Sequence, residues 1–307
     1  MGLLLLFIDG IGIGPPGPSN PLAGSGAPLL GVHAGRLRDD TIDELPAGWW
    51  GTPLDATLGV EGLPQSATGQ TTLLSGVNAA RLLGRHHPAL PGPTLRAVLL
   101  DHSILKRVRE AGRTAIFANA YGPRFFAASR HGLPRRASAS TVATWASGAG
   151  FRTLDDMVRG EAVFHVVVRD TLREKGLHVP LISPEDAGGH LAALVRGHDF
   201  VFFEHFLSDL IGHGRVARNP IDHLWMLERF VGAVAGGLDP DRDGVVVTSD
   251  HGNLEDLSVT SHTRYPVPLL VWGQLAAGWE EKPVDLTAVT PGLLAAIEAA
   301  GSPSIPS

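Results

Sequence analysis

The sequence predicts an α/β protein with a mostly parallel sheet covered by helices on both faces. Three observations predict it. Short apolar runs without polar alternation recur along the chain, as in strands buried on both sides. Segments of helical spacing separate them, the alternation expected of a parallel sheet. The 307 residues, 44% hydrophobic and 18% charged, are enough for a sizeable core.

The first run, Leu3 to Ile8, breaks off in Asp9-Gly10 and enters a loop rich in glycine and proline. A carboxylate at the carboxyl end of a buried strand stands where open α/β sheets bind their ligands. Residues 15–50 read as irregular and are expected over that face. Thr94 to Ala111 has helical spacing and stops at Gly112, and Thr114 to Ala120 reads as the next buried strand. Residues 121–179 change character, with Arg124, Arg130, Arg135, Arg136, Arg152, Arg159, Arg169 and Arg173 among interspersed aromatics. They are expected to form a small arginine-rich cap inserted in a core built from 1–120 and 180–307. The alternation then resumes: a helix over Pro184–Val195 opened by Ser183, a strand over Phe200–Phe206, and a helix over Pro220–Gly236. A strand over Val245–Ser249 ends in Asp250-His251; a strand over Val267–Trp272 and a helix over Leu286–Ala300 close the pattern. Only the tail after Gly301 is expected to be disordered.

Composition narrows the function. The absence of cysteine excludes disulfides and thiolate metal sites, so any metal must be held by oxygen and by some of the 14 histidines. A formal net charge of −6 does not favour wrapping a nucleic acid. No stretch reaches the roughly 20 apolar residues of a membrane span, and Leu3–Ile8 is too short for a signal-peptide core; the expected location is the cytoplasm. Lys106, Lys175 and Lys282 are the only lysines, a bias that reads first as genome composition and second as a need for forked guanidinium donors.

Four segments concentrate metal-capable side chains: Asp9; Asp209 and His213, four apart and so on one face of a helical turn; Asp250-His251; and His262. Taken singly, each has an ordinary explanation as a turn residue, a solvated pair, a capping turn or a surface histidine. Together, three carboxylates and three histidines at strand ends suit two divalent ions in mixed oxygen and nitrogen coordination. Between Leu63 and Gly76, small and hydroxyl residues cluster ahead of Leu73-Leu74. A helix starting near Ser66 would aim free N–H groups at a phosphate, with Ser66 as a metal-activated nucleophile and Thr68, Thr71 and Thr72 as rivals.

These motifs resemble the metalloenzyme branch of the alkaline phosphatase superfamily, which holds cofactor-independent phosphoglycerate mutase and phosphopentomutase. Leu-Phe-Ile-Asp9-Gly-Ile-Gly is similar to its first metal-ligand strand, and Asp209-x-x-Gly-His213 to its Asp/His site. Thr-Ser-Asp250-His251-Gly-Asn-Leu-Glu and Ser-His262-Thr-Arg-Tyr-Pro-Val-Pro are the most diagnostic stretches, and the motif order matches. The resemblance implies an alkaline-phosphatase-like fold, one metal site from Asp9, Ser66, Asp250 and His251, and a second from Asp209, His213 and His262. It implies manganese or zinc, occasionally magnesium. It also selects Ser66 over the threonines, because the family nucleophile sits three residues before a glycine, here Gly69. A small phosphorylated metabolite is the implied partner, processed through a phosphoserine by a phosphatase or phosphomutase. The chain departs from long phosphoglycerate mutases in its short insertion, and in Gln65 and Gln70, where those enzymes usually show Asn and His; both departures point away from phosphoglycerate. Arg124, Arg130, Arg135 and Arg136 are the candidates for gripping a second anionic group. The alternatives are phosphoglycerate mutase activity proper and a catalytically silent metal-binding protein on the same fold.

Overall fold

The computed structural model describes residues 1–273, 275, 279 and 282–300; the tail after Gly301 lies outside them. Six strands form the main sheet: β1 (Leu3–Ile8), β2 (Trp49–Leu54), β3 (Ala115–Phe117), β4 (Phe200–His205), β5 (Gly244–Thr248) and β6 (Val267–Gly273). Their spatial order is β2-β6-β5-β1-β4-β3. The pairings β5–β1, β1–β4 and β4–β3 are parallel. Strand β6 runs against both β5 and β2, so it alone is reversed.

Eight helices matter for the site and the core: α1 (Ser66–Ser75), α2 (Pro93–His102), α3 (Ile104–Glu110), α4 (Ala139–Ser147), α5 (Pro184–Gly197), α6 (Leu207–Gly212), α7 (Pro220–Gly236) and α8 (Val289–Ala299). The strand pleat explains the unbroken apolar runs. In β1, Leu4, Leu6 and Ile8 enter one buried cluster, with Leu191 of α5 and Phe230 of α7. Leu3, Leu5 and Phe7 enter the opposite cluster, with Leu73 of α1, Val108 of α3, Val142 of α4 and Leu293 of α8. A strand whose two faces are both buried has no polar face to show, and the protein is a helix–sheet–helix sandwich as expected.

Three local features differ from the sequence reading. The expected helix over 94–111 is two helices, because Ser103 adopts an extended backbone (ψ 140°) between α2 and α3. Strand β2 emerges at the end of the segment read as irregular. It tolerates Pro53 because it is a sheet edge, bonded only to β6. The segment 121–179 is not one detached body. Helix α4 buries Ala139, Val142 and Ala143 in the same cluster as β1, whereas Pro123–Ser129 has no buried residue and leans on its neighbours through the rings of Tyr121, Phe125 and Phe151. No helix among the described residues is long and apolar enough to cross a membrane.

Candidate metal centre

The chain's metal-capable side chains meet at the carboxyl ends of β1, β4 and β5. Asp9 leaves β1 with its N–H donating to the His205 carbonyl at 2.8 Å, and the next residue turns the chain sharply. Gly10 has φ +77°, and a Cβ there would stand 2.8 Å from the Asp209 Cα, so only glycine lets α6 approach Asp9 this closely. The end of β5 is held by Ser249, whose Oγ donates to the His251 carbonyl at 2.9 Å and accepts the Ile11 N–H at 3.0 Å. His262 is brought in by the bridge between Gly252 and Thr263, which stacks its ring on His251 at 3.6 Å.

Ser66 is the first residue of α1, half-buried, with its Oγ 3.0 Å from His251 Nε2. The same nitrogen lies 3.3 Å from Asp9 Oδ1 and 3.5 Å from Asp250 Oδ2. Across the site, Asp209 Oδ1 lies 3.3 Å from His213 Nε2 and 3.5 Å from His262 Nε2, and those two nitrogens are 3.1 Å apart. All seven residues expected at the site are thus in one cluster. Distance does not divide it into the expected four and three, because His251 lies within ligand-sharing reach of both Asp9 with Asp250 and Asp209 with His262.

The donor set fits cations. His213 Nδ1 faces the Thr260 carbonyl at 2.6 Å, and His262 Nδ1 faces the Pro64 carbonyl at 2.8 Å. A carbonyl only accepts, so each Nδ1 carries the hydrogen, and in the neutral rings each Nε2 presents a lone pair. When both rings are neutral, two lone pairs and an Asp209 oxygen converge there, an arrangement that a positive ion satisfies. On the other side, Asp9 Oδ1 and both Asp250 oxygens are buried without a hydrogen-bond partner. Burial, then the Asp250 and Asp209 charges, holds the Asp9 carboxyl well above its ordinary value. Burial and Asp209 push Asp250 up to about 7. Burial, then His262, pushes His251 down to about 3, which keeps its ring neutral. Burial works against charge on Asp209 too, but a hydrogen bond from His262, helped by His251 and Asn253, brings it down to about 2; although burial opposes it, the same bond lifts His262 above its ordinary value, so without metal a proton on His262 takes the cation's place. Unpaired buried carboxylates beside the neutral ring of His251 are the electrostatic signature of a site made for divalent metal.

A supporting layer, not among the residues expected from sequence, surrounds the ligands. Asn253 Nδ2 donates to Asp209 Oδ1 at 2.7 Å, and Gln70 Nε2 reaches Asp9 Oδ2 at 3.4 Å. Glu255, 1% exposed, accepts the N–H groups of Gly12 at 2.9 Å and Asn253 at 2.8 Å and the hydroxyl of Thr263. It thereby ties the Asp9, Asp250 and His262 loops together. Asn253 and Glu255 lie in the most diagnostic motif, but only a contact reveals their task. Arg124, Arg130, Arg135 and Arg136 are exposed, and no hydrogen bond or ion pair among the described residues joins them to the seven.

Comparison with known proteins agrees with this site. Residues 187–300, which carry five of the seven, match the profile of the Metalloenzyme superfamily. A 2,3-bisphosphoglycerate-independent phosphoglycerate mutase from Desulforudis audaxviator is 27% identical over 121 residues, 38% of this chain. The match spans 24% of that relative's length. In fold, the chain is similar to the PH0037 protein from Pyrococcus horikoshii (TM-score 0.56, 14% identity, 98% of this chain and 97% of that one). It is also similar to alkaline phosphatase from the Antarctic bacterium TAB5 (TM-score 0.50, 13% identity, 98% and 99%). The carboxyl-terminal part of the chain thus matches the metalloenzyme superfamily profile, and the fold is alkaline-phosphatase-like.

Proposed function

We propose that this protein, alkaline-phosphatase-like in fold, is a metalloenzyme that carries out metal-dependent phosphoryl transfer through a phosphoserine on Ser66, acting on a small phosphate ester. The observation that carries the reading is the Ser66 hydroxyl at the head of α1, 3.0 Å from His251 Nε2 and beside buried carboxylates that lack partners. Asp9, Ser66, Asp250 and His251 would hold one divalent ion, and Asp209, His213 and His262 the other. Manganese or zinc suits these ligands. When bound, the ions supply positive charge to the transferring phosphoryl group and favour the serine alkoxide.

The chain's own residues do the rest. Gln65 gives α1 no side-chain cap, so the first N–H groups of the helix are free to receive phosphate oxygens. Ser66 Oγ forms a bond to phosphorus as the ester P–O bond breaks, and the alcohol leaves with a proton. Water then cleaves the phosphoserine, releasing inorganic phosphate and restoring the hydroxyl; if a second hydroxyl of the retained alcohol takes the phosphate, the outcome is a mutase. The residues of 121–179 that face the site would set this outcome by controlling water entry.

The test is a substrate panel on metal-stripped protein restored with Mn2+ or Zn2+. Aryl phosphates, 3-phosphoglycerate and pentose phosphates would be scored for both free phosphate and isomer. Metal-restored release of phosphate is expected, and Ser66→Ala should abolish it while leaving the fold intact. Full activity in Ser66→Ala, or activity indifferent to metal, would refute the proposal.

A further inference from the structure

Next to the centre, at the carboxyl ends of β3 and β4, lies a cavity of about 270 Å³. Its polar lining comes from Glu204, Asn119, Tyr121, Ser138, Thr141 and His165. Glu204 pairs in register with Phe7, two residues before Asp9. The pleat places it on the same sheet face as Phe202, the face covered by α1 and α4, so it shares a side of the sheet with Ser66. Its charge contributes to raising the Asp9 carboxyl, after burial, Asp250 and Asp209.

The chemistry of this cavity is one-sided. Glu204 is 7% exposed, and its side-chain partner is a hydroxyl, Ser140 Oγ at 2.6 Å, not a cation. Its backbone is clamped at both ends by Asn119, whose Oδ1 accepts the Glu204 N–H at 2.9 Å and whose Nδ2 donates to the Glu204 carbonyl at 2.7 Å. Hydroxyls in the lining form a relay: Tyr121 to Thr141 at 2.8 Å, and Thr141 to Ser138 at 2.8 Å. Burial, then His205 and Lys175, brings His165 down to about 3, so its ring adds no positive charge. No arginine or lysine is among the lining residues. The four arginines expected to grip a second anion are not here.

Resting on the phosphoryl-transfer reading above, we propose that this cavity receives the alcohol part of the ester, and that Glu204 selects a neutral, hydroxyl-bearing alcohol over one carrying a second anion. A sugar or polyol hydroxyl donates to the free Glu204 oxygen and exchanges hydrogen bonds with Tyr121, Thr141 and Ser138, which both donate and accept. Burial, against the Ser140 hydrogen bond, pushes Glu204 up to about 7, so above that pH a carboxylate in the same place would meet a buried like charge with no counter-ion.

Glycerol 3-phosphate and 3-phosphoglycerate form a matched pair for the test, since they differ only in a terminal hydroxymethyl or carboxylate group. On Mn2+-loaded protein at about pH 8, where Glu204 is ionised, kcat/KM is expected to favour glycerol 3-phosphate by at least about tenfold, the scale of a like-charge clash, and Glu204→Gln should narrow that ratio. Titration calorimetry of both esters into Mn2+-loaded Ser66→Ala should give the same ranking without turnover. If Glu204→Gln fails to fold, Ser138→Ala and Tyr121→Phe replace it, each expected to lower kcat/KM for glycerol 3-phosphate more than for an aryl phosphate. Equal use of the pair, or preference for 3-phosphoglycerate, would overturn the inference while aryl phosphate turnover left the parent reading standing. Preference for phosphoethanolamine over both would overturn it in favour of an ammonium partner for Glu204. Absence of turnover on every ester would sink the parent reading, and the calorimetric ranking would still decide this one.

Discussion

Glu255 shows how much of this site depends on side chains that touch no reacting atom. Its carboxylate gathers two backbone N–H groups and the Thr263 hydroxyl from three separate loops. Gly12 and Gly252 are required around it, since a Cβ at either would stand within 2.5 Å of Glu255 Oε1. Removing the carboxylate leaves three buried donors unsatisfied. Glu255→Ala should therefore lower unfolding stability by about 3 kcal/mol or more, with a smaller loss for Glu255→Gln, which keeps one acceptor. Urea unfolding of the two variants checks the order. The seven expected ligands were legible because each is a metal-capable residue in a recognisable motif. Asn253 and Gln70 were not, because an amide next to a ligand looks like any polar residue until the structure shows it 2.7 Å from Asp209 or 3.4 Å from Asp9. The cap arginines stand apart from the centre: composition and position singled out Arg124, Arg130, Arg135 and Arg136 for a second anionic group, and among the described residues none bonds to the seven. The cavity beside it is lined by an acid, an amide and hydroxyls instead.

Among the elements, α1 is the one whose placement decides chemistry. It runs from the site into the core, with everything from Ala67 to Ser75 buried. Its first turn presses on the end of β5 through Gly69, where an added Cβ would lie 2.7 Å from the Asp250 carbonyl oxygen. Gly69→Ala must push the helix away from Asp250. Because a displacement of about 1 Å in a reacting group can cost a hundredfold, we expect turnover of an aryl phosphate to fall by about tenfold to a hundredfold. The accompanying loss of stability should be about 1–3 kcal/mol, the usual range for overpacking. Parallel kinetics and thermal melts would separate the two. The strands that carry the site were the most readable elements, because burial on both faces leaves β1, the first four residues of β5 and the first four residues of β4 without a polar side chain. Helices α2 and α3 merged in the sequence reading because apolar spacing continues across Ser103, and periodicity cannot see one extended ψ angle. Strand β2 was hidden by Gly51 and Pro53, which interrupt its apolar pattern.

At the scale of the molecule, burial of titratable groups couples stability to pH. His205 and His223 face each other through their Nε2 atoms at 3.1 Å, beneath the centre. Burial pushes His205 down to about 4, against the pull of its bond to the His165 carbonyl, and holds His223 well below its ordinary value. Both stay neutral in the folded chain while the unfolded chain protonates near 6.5. Their contribution is therefore present above pH 6.5 and lost as the pH falls toward about 4. The raised carboxyls of Asp9 and Asp250 act in the opposite sense in metal-free protein, where their contribution is lost as the pH rises toward about 7. Comparing wild type with His223→Gln cancels that part, and the variant should show the shallower loss of melting temperature between pH 6.5 and 4. An equal loss in both would mean that the histidine pair does not set the acid limit.

All of these features serve a sheet that delivers Asp9, Asp209, Asp250 and three histidines to one point beside the head of α1. The most direct test is to look for the covalent intermediate. Metal-stripped protein would be restored with Mn2+, mixed with an aryl phosphate, quenched in acid and mapped by peptide mass spectrometry. Phosphate is predicted on the Ser66 peptide, dependent on metal and absent from Ser66→Ala. Metal-restored turnover with no phosphate on Ser66, or with phosphate on Thr68, Thr71 or Thr72 instead, would contradict the account.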